Sequence, residues 1–237
     1  MVNGRGVEKM TGEMDWVEIA PKSGHRYTVI WMHGLGADGH DFESIVPELG
    51  LPDDLGIRFC FPNAPVRPVT INGGMAMRAW YDIMDMSLER QVDKAGIAKS
   101  STSILKLIDR EIAGGVPSEN ILLAGFSQGG VIALDAGLTC PHRLAGILAL
   151  SCYLPTWPEI VPALSQANRL LPIMMAHGSF DNVVARESGR AAFEALTSIG
   201  YSVVWKEYPM AHSVCLEEVR DIADFIRQCF HMEGQAL

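Results

Sequence analysis

Short apolar runs alternate with amphipathic stretches along most of this chain. Tyr27 to Met32, Ile57 to Phe61, Ile121 to Gly125, Leu144 to Leu150 and Ile173 to Ala176 are nearly unbroken apolar segments. Runs of this length suit strands buried on both faces of a sheet. Val203-Val204-Trp205 reads as a last strand, and the weak alternation of Trp16-Val17-Glu18-Ile19 as a first edge strand. Between them the spacing changes. Ile97, Ser101, Ile104, Leu105, Ile108 and Ile112 fall on one helical stripe that stops at Gly114-Gly115. Arg186 to Ile199 and Leu216 to Phe230 carry similar stripes, and Val131 to Leu138 is compatible with a helix. Strand and helix alternate throughout, which predicts an α/β fold: a mostly parallel central sheet with helices on both faces.

Two regions depart from this rhythm. Residues 1–14 mix charges and glycines and read as a poorly ordered N-terminal extension, leaving residues 15–237 as a single domain. Pro62 to Arg90 holds three prolines, the Gly73-Gly74 pair and the apolar set Met75, Met77, Trp80, Tyr81, Met84 and Met86. A connection so long and apolar is a cover over a binding site or a filler packed on the sheet edge. For any one methionine the two readings weigh equally.

Composition narrows the chemistry. The chain has 237 residues, 48% of them hydrophobic, enough to bury a sizeable core. A formal net charge of -9 argues against a nucleic-acid partner and against a polybasic membrane patch. Five scattered cysteines form no C-x-x-C pair and read as free thiols of a reducing compartment. With no apolar leader and no run long enough to span a bilayer, the expectation is a cytoplasmic protein without stable membrane insertion.

The richest stretch is Gly125-Phe126-Ser127-Gln128-Gly129-Gly130, set between an apolar run and a helix-compatible segment. G-x-S-x-G at a strand-to-helix turn is the nucleophile elbow, with Ser127 at its apex. A bare G-x-S-x-G is common by chance, and its flanking elements supply the weight. A serine nucleophile needs a base and an orienting acid, following it in the order acid then histidine. Asp181 stands just past the strand Ile173 to Ala176. His212 lies between the last strand and the last helix, whereas His231 falls in the tail. Order, element type and elimination select Asp181 and His212. An oxyanion needs two amides. The N–H of Gln128 follows the nucleophile, and the loop His33-Gly34-Leu35-Gly36-Ala37-Asp38-Gly39 offers Leu35. Two rivals compete for that loop. Gly34, Gly36 and Gly39 spell G-x-G-x-x-G, but no acidic residue ends a second strand at the dinucleotide distance. His33, Asp38, His40 and Asp41 could ligate a metal, but their spacing matches no known site, so no metal is expected. His177 reads as a packed histidine at a strand end and Cys215 as a buried thiol.

Taken together, His33 to Gly39, Pro62-Asn63-Ala64-Pro65, Arg67 to Gly74, Trp80-Tyr81-Asp82-Ile83, Gly125 to Gly130 and His212-Ser213 resemble the small carboxylesterase and acyl-protein thioesterase family of α/β hydrolases. The resemblance runs from about Ile30 to Phe230. The Arg67 to Gly74 and Met77 to Asp82 segments look more like bacterial carboxylesterases than animal thioesterases. The resemblance implies cofactor-free hydrolysis of acyl esters and thioesters, weak homodimers, and Trp80 on the acyl side of the cleft. The acid turn departs from the family's pattern, with Phe180 and Asn182-Val183 flanking Asp181.

The resulting expectation is a serine carboxylesterase for short- to medium-chain acyl esters. Met75, Met77 and Met84 would form an adaptable acyl site, and the substrate would be a small-molecule or lipid ester or an acylated protein. An acyl-protein thioesterase or lysophospholipase acting on long chains is the alternative. A hydrolase fold that only binds ligand is the alternative of another class.

Overall fold

In a computed structural model of the chain, the described residues are 14–84 and 92–232. Seven strands build one sheet in the order β1-β3-β2-β6-β7-β8-β9. These are β1 (Trp16–Ile19), β2 (Tyr27–Met32), β3 (Ile57–Pro62), β6 (Ile121–Phe126), β7 (Gly146–Leu150), β8 (Ile173–Gly178) and β9 (Val203–Tyr208). Only β1 runs antiparallel to its neighbour, pairing Trp16 with Pro62 and Ile19 with Phe59. The parallel, doubly covered core expected from the apolar runs is present.

Alternation along each strand divides the core. Ile30, Met32 and Leu123 face one layer, while Val29, Trp31 and Leu122 face the other. The first layer is covered by α1 (Lys94–Ala113), α2 (Gln128–Thr139), α3 (Trp157–Ile160) and α4 (Arg186–Ser198). The second is covered by α5 (Leu216–Cys229) together with Phe42, Leu49 and Leu55 from the connection after β2. Both faces are therefore covered, unequally. Nearly every residue of α2 is buried, because it packs on the sheet beneath α1 and α3. That explains its apolar character all round.

Boundaries move where capping overrides periodicity. The first helix begins at Lys94, three residues before the apolar stripe, because the Asp93 carboxylate accepts from the Gly96 N–H at 2.8 Å. Strand β7 starts at Gly146 rather than Leu144, whose N–H is taken by Asn168 Oδ1 at 2.9 Å.

The excursion after β3 is a correction to the reading as one cover or one filler, for it is both. It folds as a two-stranded hairpin, β4 (Val66–Val69) and β5 (Met75–Arg78), with Pro68 opposite Ala76. Beyond it Trp80 and Tyr81 dive into the core, while Met75 is 65% and Met84 41% exposed. The hairpin is illegible in the sequence because proline and alanine are depleted from strands, and only the mutual pairing, Pro68 opposite Ala76, makes strands of these segments. Met86 lies outside the described residues, as do the first thirteen residues of the expected N-terminal extension.

The topology points to one end of the sheet. From β2 the chain crosses to β3 on one side and reaches β6 on the other. Ligands of open α/β sheets bind beyond the carboxyl ends of the strands where the order reverses in this way. The loops after β2 and β6, carrying Gly34 to Gly39 and Ser127, leave the sheet at that switch point.

Candidate active site

Ser127 stands between the end of β6 and the start of α2 with φ 55° and ψ -118°. A non-glycine residue held there carries a strain of about 1–3 kcal/mol, which the surroundings must impose. They do so through the Ser127 N–H, which donates to the Leu150 carbonyl at 2.8 Å. The glycines let strand and helix cross this closely. A Cβ on Gly125 would collide with the Gly129 carbonyl, and one on Gly129 with the Met32 carbonyl of β2.

Gln128 opens α2, so its N–H has no intrahelical acceptor. Its buried side chain clamps the segment after β5. Gln128 Oε1 accepts from the Trp80 N–H at 3.0 Å, and Nε2 donates to the Tyr81 carbonyl at 2.9 Å. The opposite wall is the loop after β2. The Ala64 N–H donates to His33 Nε2 at 3.0 Å. A backbone amide can only donate, so Nε2 must be unprotonated and the proton must sit on Nδ1. Nδ1–H then donates to the Gly34 carbonyl at 2.6 Å. Burial lowers the pKa of His33, which keeps the ring neutral against the pull of the Gly34 carbonyl. Both ring nitrogens are thereby committed to backbone, which removes His33 from any metal-ligating set.

Asp181 follows β8, and its side chain is fully buried. Its Oδ1 accepts from the Val183 and Val184 N–H groups, each at 2.9 Å. Its Oδ2 accepts from His212 Nδ1 at 2.7 Å. His177 Nε2 lies 3.4 Å from the same oxygen and 2.9 Å from the Val184 carbonyl. A carboxylate with this many donors is a fixed acceptor, so the neutral His212 ring carries its proton on Nδ1 and keeps the Nε2 lone pair free. The ring is 15% exposed and packs on Phe126, with centroids 4.7 Å apart.

These elements meet around a cavity of about 250 Å³ lined by Leu35, Ser127, Gln128 and His212 from the expected set. Its apolar wall is Tyr81, Ile83, Phe126, Val183 and Val184. Trp80, Met75, Met77 and Met84 do not line it. Trp80 is wholly buried, and its Nε1–H donates to the His33 carbonyl at 2.9 Å, bracing the loop after β2 from behind. Met77 faces the outer side of that loop near Gly36, where Asn72 Nδ2 donates to its sulfur. The turn after β5 delivers Tyr81 and Ile83 to the cavity instead, a register that the methionine-rich composition could not reveal.

The other polar candidates have different occupations. Asp135 is buried in α2 and accepts from Thr156 Oγ1 at 2.7 Å. Cys152 is the thiol beside Gly130 and the nucleophile's helix, and burial raises its pKa far above the usual thiol range, so it is no rival nucleophile. Cys215 is half-buried rather than fully enclosed. Sequence reading missed the bracing roles of His33, Trp80 and the Gln128 side chain. The His33-Gly34 pair was visible, but only coordinates show what its ring holds.

The phospholipase/carboxylesterase family pattern matches residues 15–230. An acyl-protein thioesterase 1 of Neurospora crassa is 42% identical over 214 residues, covering 86% of this chain and 87% of the relative. One of Gibberella zeae is 41% identical over 216 residues, covering 87% and 92%. Among solved structures, Arabidopsis thaliana SOBER1 superposes with a TM-score of 0.82 at 31% identity, covering 86% of this chain and 99% of that one.

Proposed function

Since the chain belongs to the phospholipase/carboxylesterase family of α/β hydrolases, we propose that it is a serine hydrolase cleaving acyl thioesters and esters through Ser127, His212 and Asp181. The observation that carries this reading is the 2.7 Å bond from His212 Nδ1 to a buried Asp181, on a ring that lines the same cavity as Ser127.

Ser127 Oγ attacks the acyl carbon while His212 Nε2 takes its proton. Asp181 stabilises the imidazolium and holds the ring in the needed tautomer. The oxyanion is received by the Leu35 and Gln128 amides, each worth about 3–4 kcal/mol of barrier in such sites. The carbon–sulfur or carbon–oxygen bond then breaks, His212 passes its proton to the departing thiolate or alkoxide, and the neutral ring takes a proton from the water that releases the acid and regenerates Ser127. The family relatives carry the name acyl-protein thioesterase, which favours a thioester, including one on a protein cysteine, over a simple oxygen ester.

The test is a fluorophosphonate probe followed by matched oxygen esters and thioesters of rising acyl length. Labelling at Ser127, lost in Ser127→Ala, and faster thioester turnover are expected. A folded protein that neither labels nor turns over would favour the pure ligand binder.

A further inference from the structure

The cavity wall carries one carboxylate. Asp41 lines it beside Leu35 and Ala37, while the other described lining residues are apolar or uncharged apart from the His212 ring. Its backbone is pinned, the N–H donating to the Asp38 carbonyl at 3.1 Å. The next residue, Phe42, is buried between Trp31 and Phe126, with ring centroids 5.1 and 5.7 Å away. Asp41 thus directly precedes a buried ring that packs on Phe126, the residue before Ser127. No lysine or arginine is among the described lining residues. Asp41 is exposed to solvent overall, and desolvation on its cavity side together with the nearby Asp38 raises its pKa.

Such a group is unsuited to an acyl chain, because methylenes cannot solvate a carboxylate. It also opposes the negative charge that grows on the acyl oxygen during attack, unless the substrate supplies a cation. An acyl group placed against the apolar wall of Tyr81, Ile83, Phe126, Val183 and Val184 would leave Asp41 to face the departing portion.

We propose that Asp41 is a specificity-determining residue that selects leaving groups carrying a cation within a few atoms of the scissile bond. The inference rests on the hydrolase reading above. The net charge of -9 draws cations to the molecule from a distance, and Asp41 adds the local preference at the bond.

Three thioesters share a butyryl chain and a two-carbon thiol whose terminal group is cationic, neutral or anionic: butyrylthiocholine, S-butyryl-2-mercaptoethanol and S-butyryl-2-mercaptoethanesulfonate. Released thiol is followed for the natural protein and for Asp41→Asn. For the natural protein kcat/KM should favour the cationic thioester over the neutral one by about tenfold, with the sulfonate slowest. In Asp41→Asn the cationic-to-neutral ratio should fall towards one. The ratio is internal to each protein, so a change in folded fraction cancels from it. Asp41→Asn changes the net charge by a single unit, so long-range steering is nearly unaltered. A ratio that survives the substitution, or no cationic preference in the natural protein, overturns the role of Asp41 while hydrolysis itself stands. Failure to hydrolyse any of the three strikes the hydrolase reading instead.

Discussion

His33 Nδ1 lies 2.6 Å from the carbonyl oxygen of Gly34. That oxygen shares a trans peptide plane with the Leu35 N–H, so fixing one end of the plane fixes the other. On the proposed mechanism, a neutral imidazole thereby orients the Leu35 amide as an oxyanion donor without touching substrate. In His33→Ala the Leu35 N–H loses its aim, and kcat should drop about 100-fold with KM little changed, the size of losing one oxyanion donor. A parallel rise in KM, or intact kcat in a folded variant, would separate His33 from this task. The fold depresses the pKa of His33 below the ordinary 6.5, so the unfolded chain takes up this proton first. Stability from this group is present above about pH 6.5 and is lost as the pH falls below it. The Tm of the natural protein should fall more steeply between pH 7 and 5 than that of His33→Ala.

Asp181 offers a cleaner separation of geometry from charge. Asp181→Asn keeps the shape, but one amide nitrogen now replaces an acceptor oxygen. Either the Val183 and Val184 amides meet a donor, or His212 Nδ1–H does and the ring turns over to its other tautomer. Loss of about 10³–10⁴ in kcat follows, with fluorophosphonate labelling slowed in proportion and circular dichroism unchanged. Activity within tenfold of the natural protein would show that Asp181 does not set the tautomer.

Ser127, Asp181 and His212 could be singled out from the sequence because each follows a strand, and chain order is a one-dimensional property. The central strands were legible for the same reason, their doubly buried apolar runs being local. What stayed hidden depends on register across distant segments. Trp80 looks like an acyl-site residue until its N–H is found on Gln128 Oε1, 48 positions away, and its indole on the His33 carbonyl. Whether Met77 or Tyr81 reaches the cavity is decided by where β5 ends against β4, which apolar composition does not encode. Asp38 and Asp41 were considered as metal ligands beside His33, yet the His33 nitrogens belong to Gly34 and Ala64.

Glu218 provides a test away from the cleft. It sits in the first turn of α5, with no exposed surface, beneath the loop that carries His212. Burial pushes its pKa up to about 8, with Asp221 adding to the shift and the Cys215 backbone opposing it. The sign follows from the two states. The unfolded carboxyl releases its proton near 4.5, whereas the folded one holds it to about 8. Between those values the native state binds the extra proton, so stability falls as the pH rises. Glu218→Gln mimics the protonated form at every pH and removes that slope. The variant should match the natural protein closely at pH 5. At pH 8 its Tm should exceed the natural value by about 10 °C, from a gain on the order of 3–4 kcal/mol in a chain of this size. Thermal melts of both proteins at the two pH values decide it: an equal difference at pH 5 and pH 8 would mean that Glu218 is ionised in the fold and finds its compensation elsewhere.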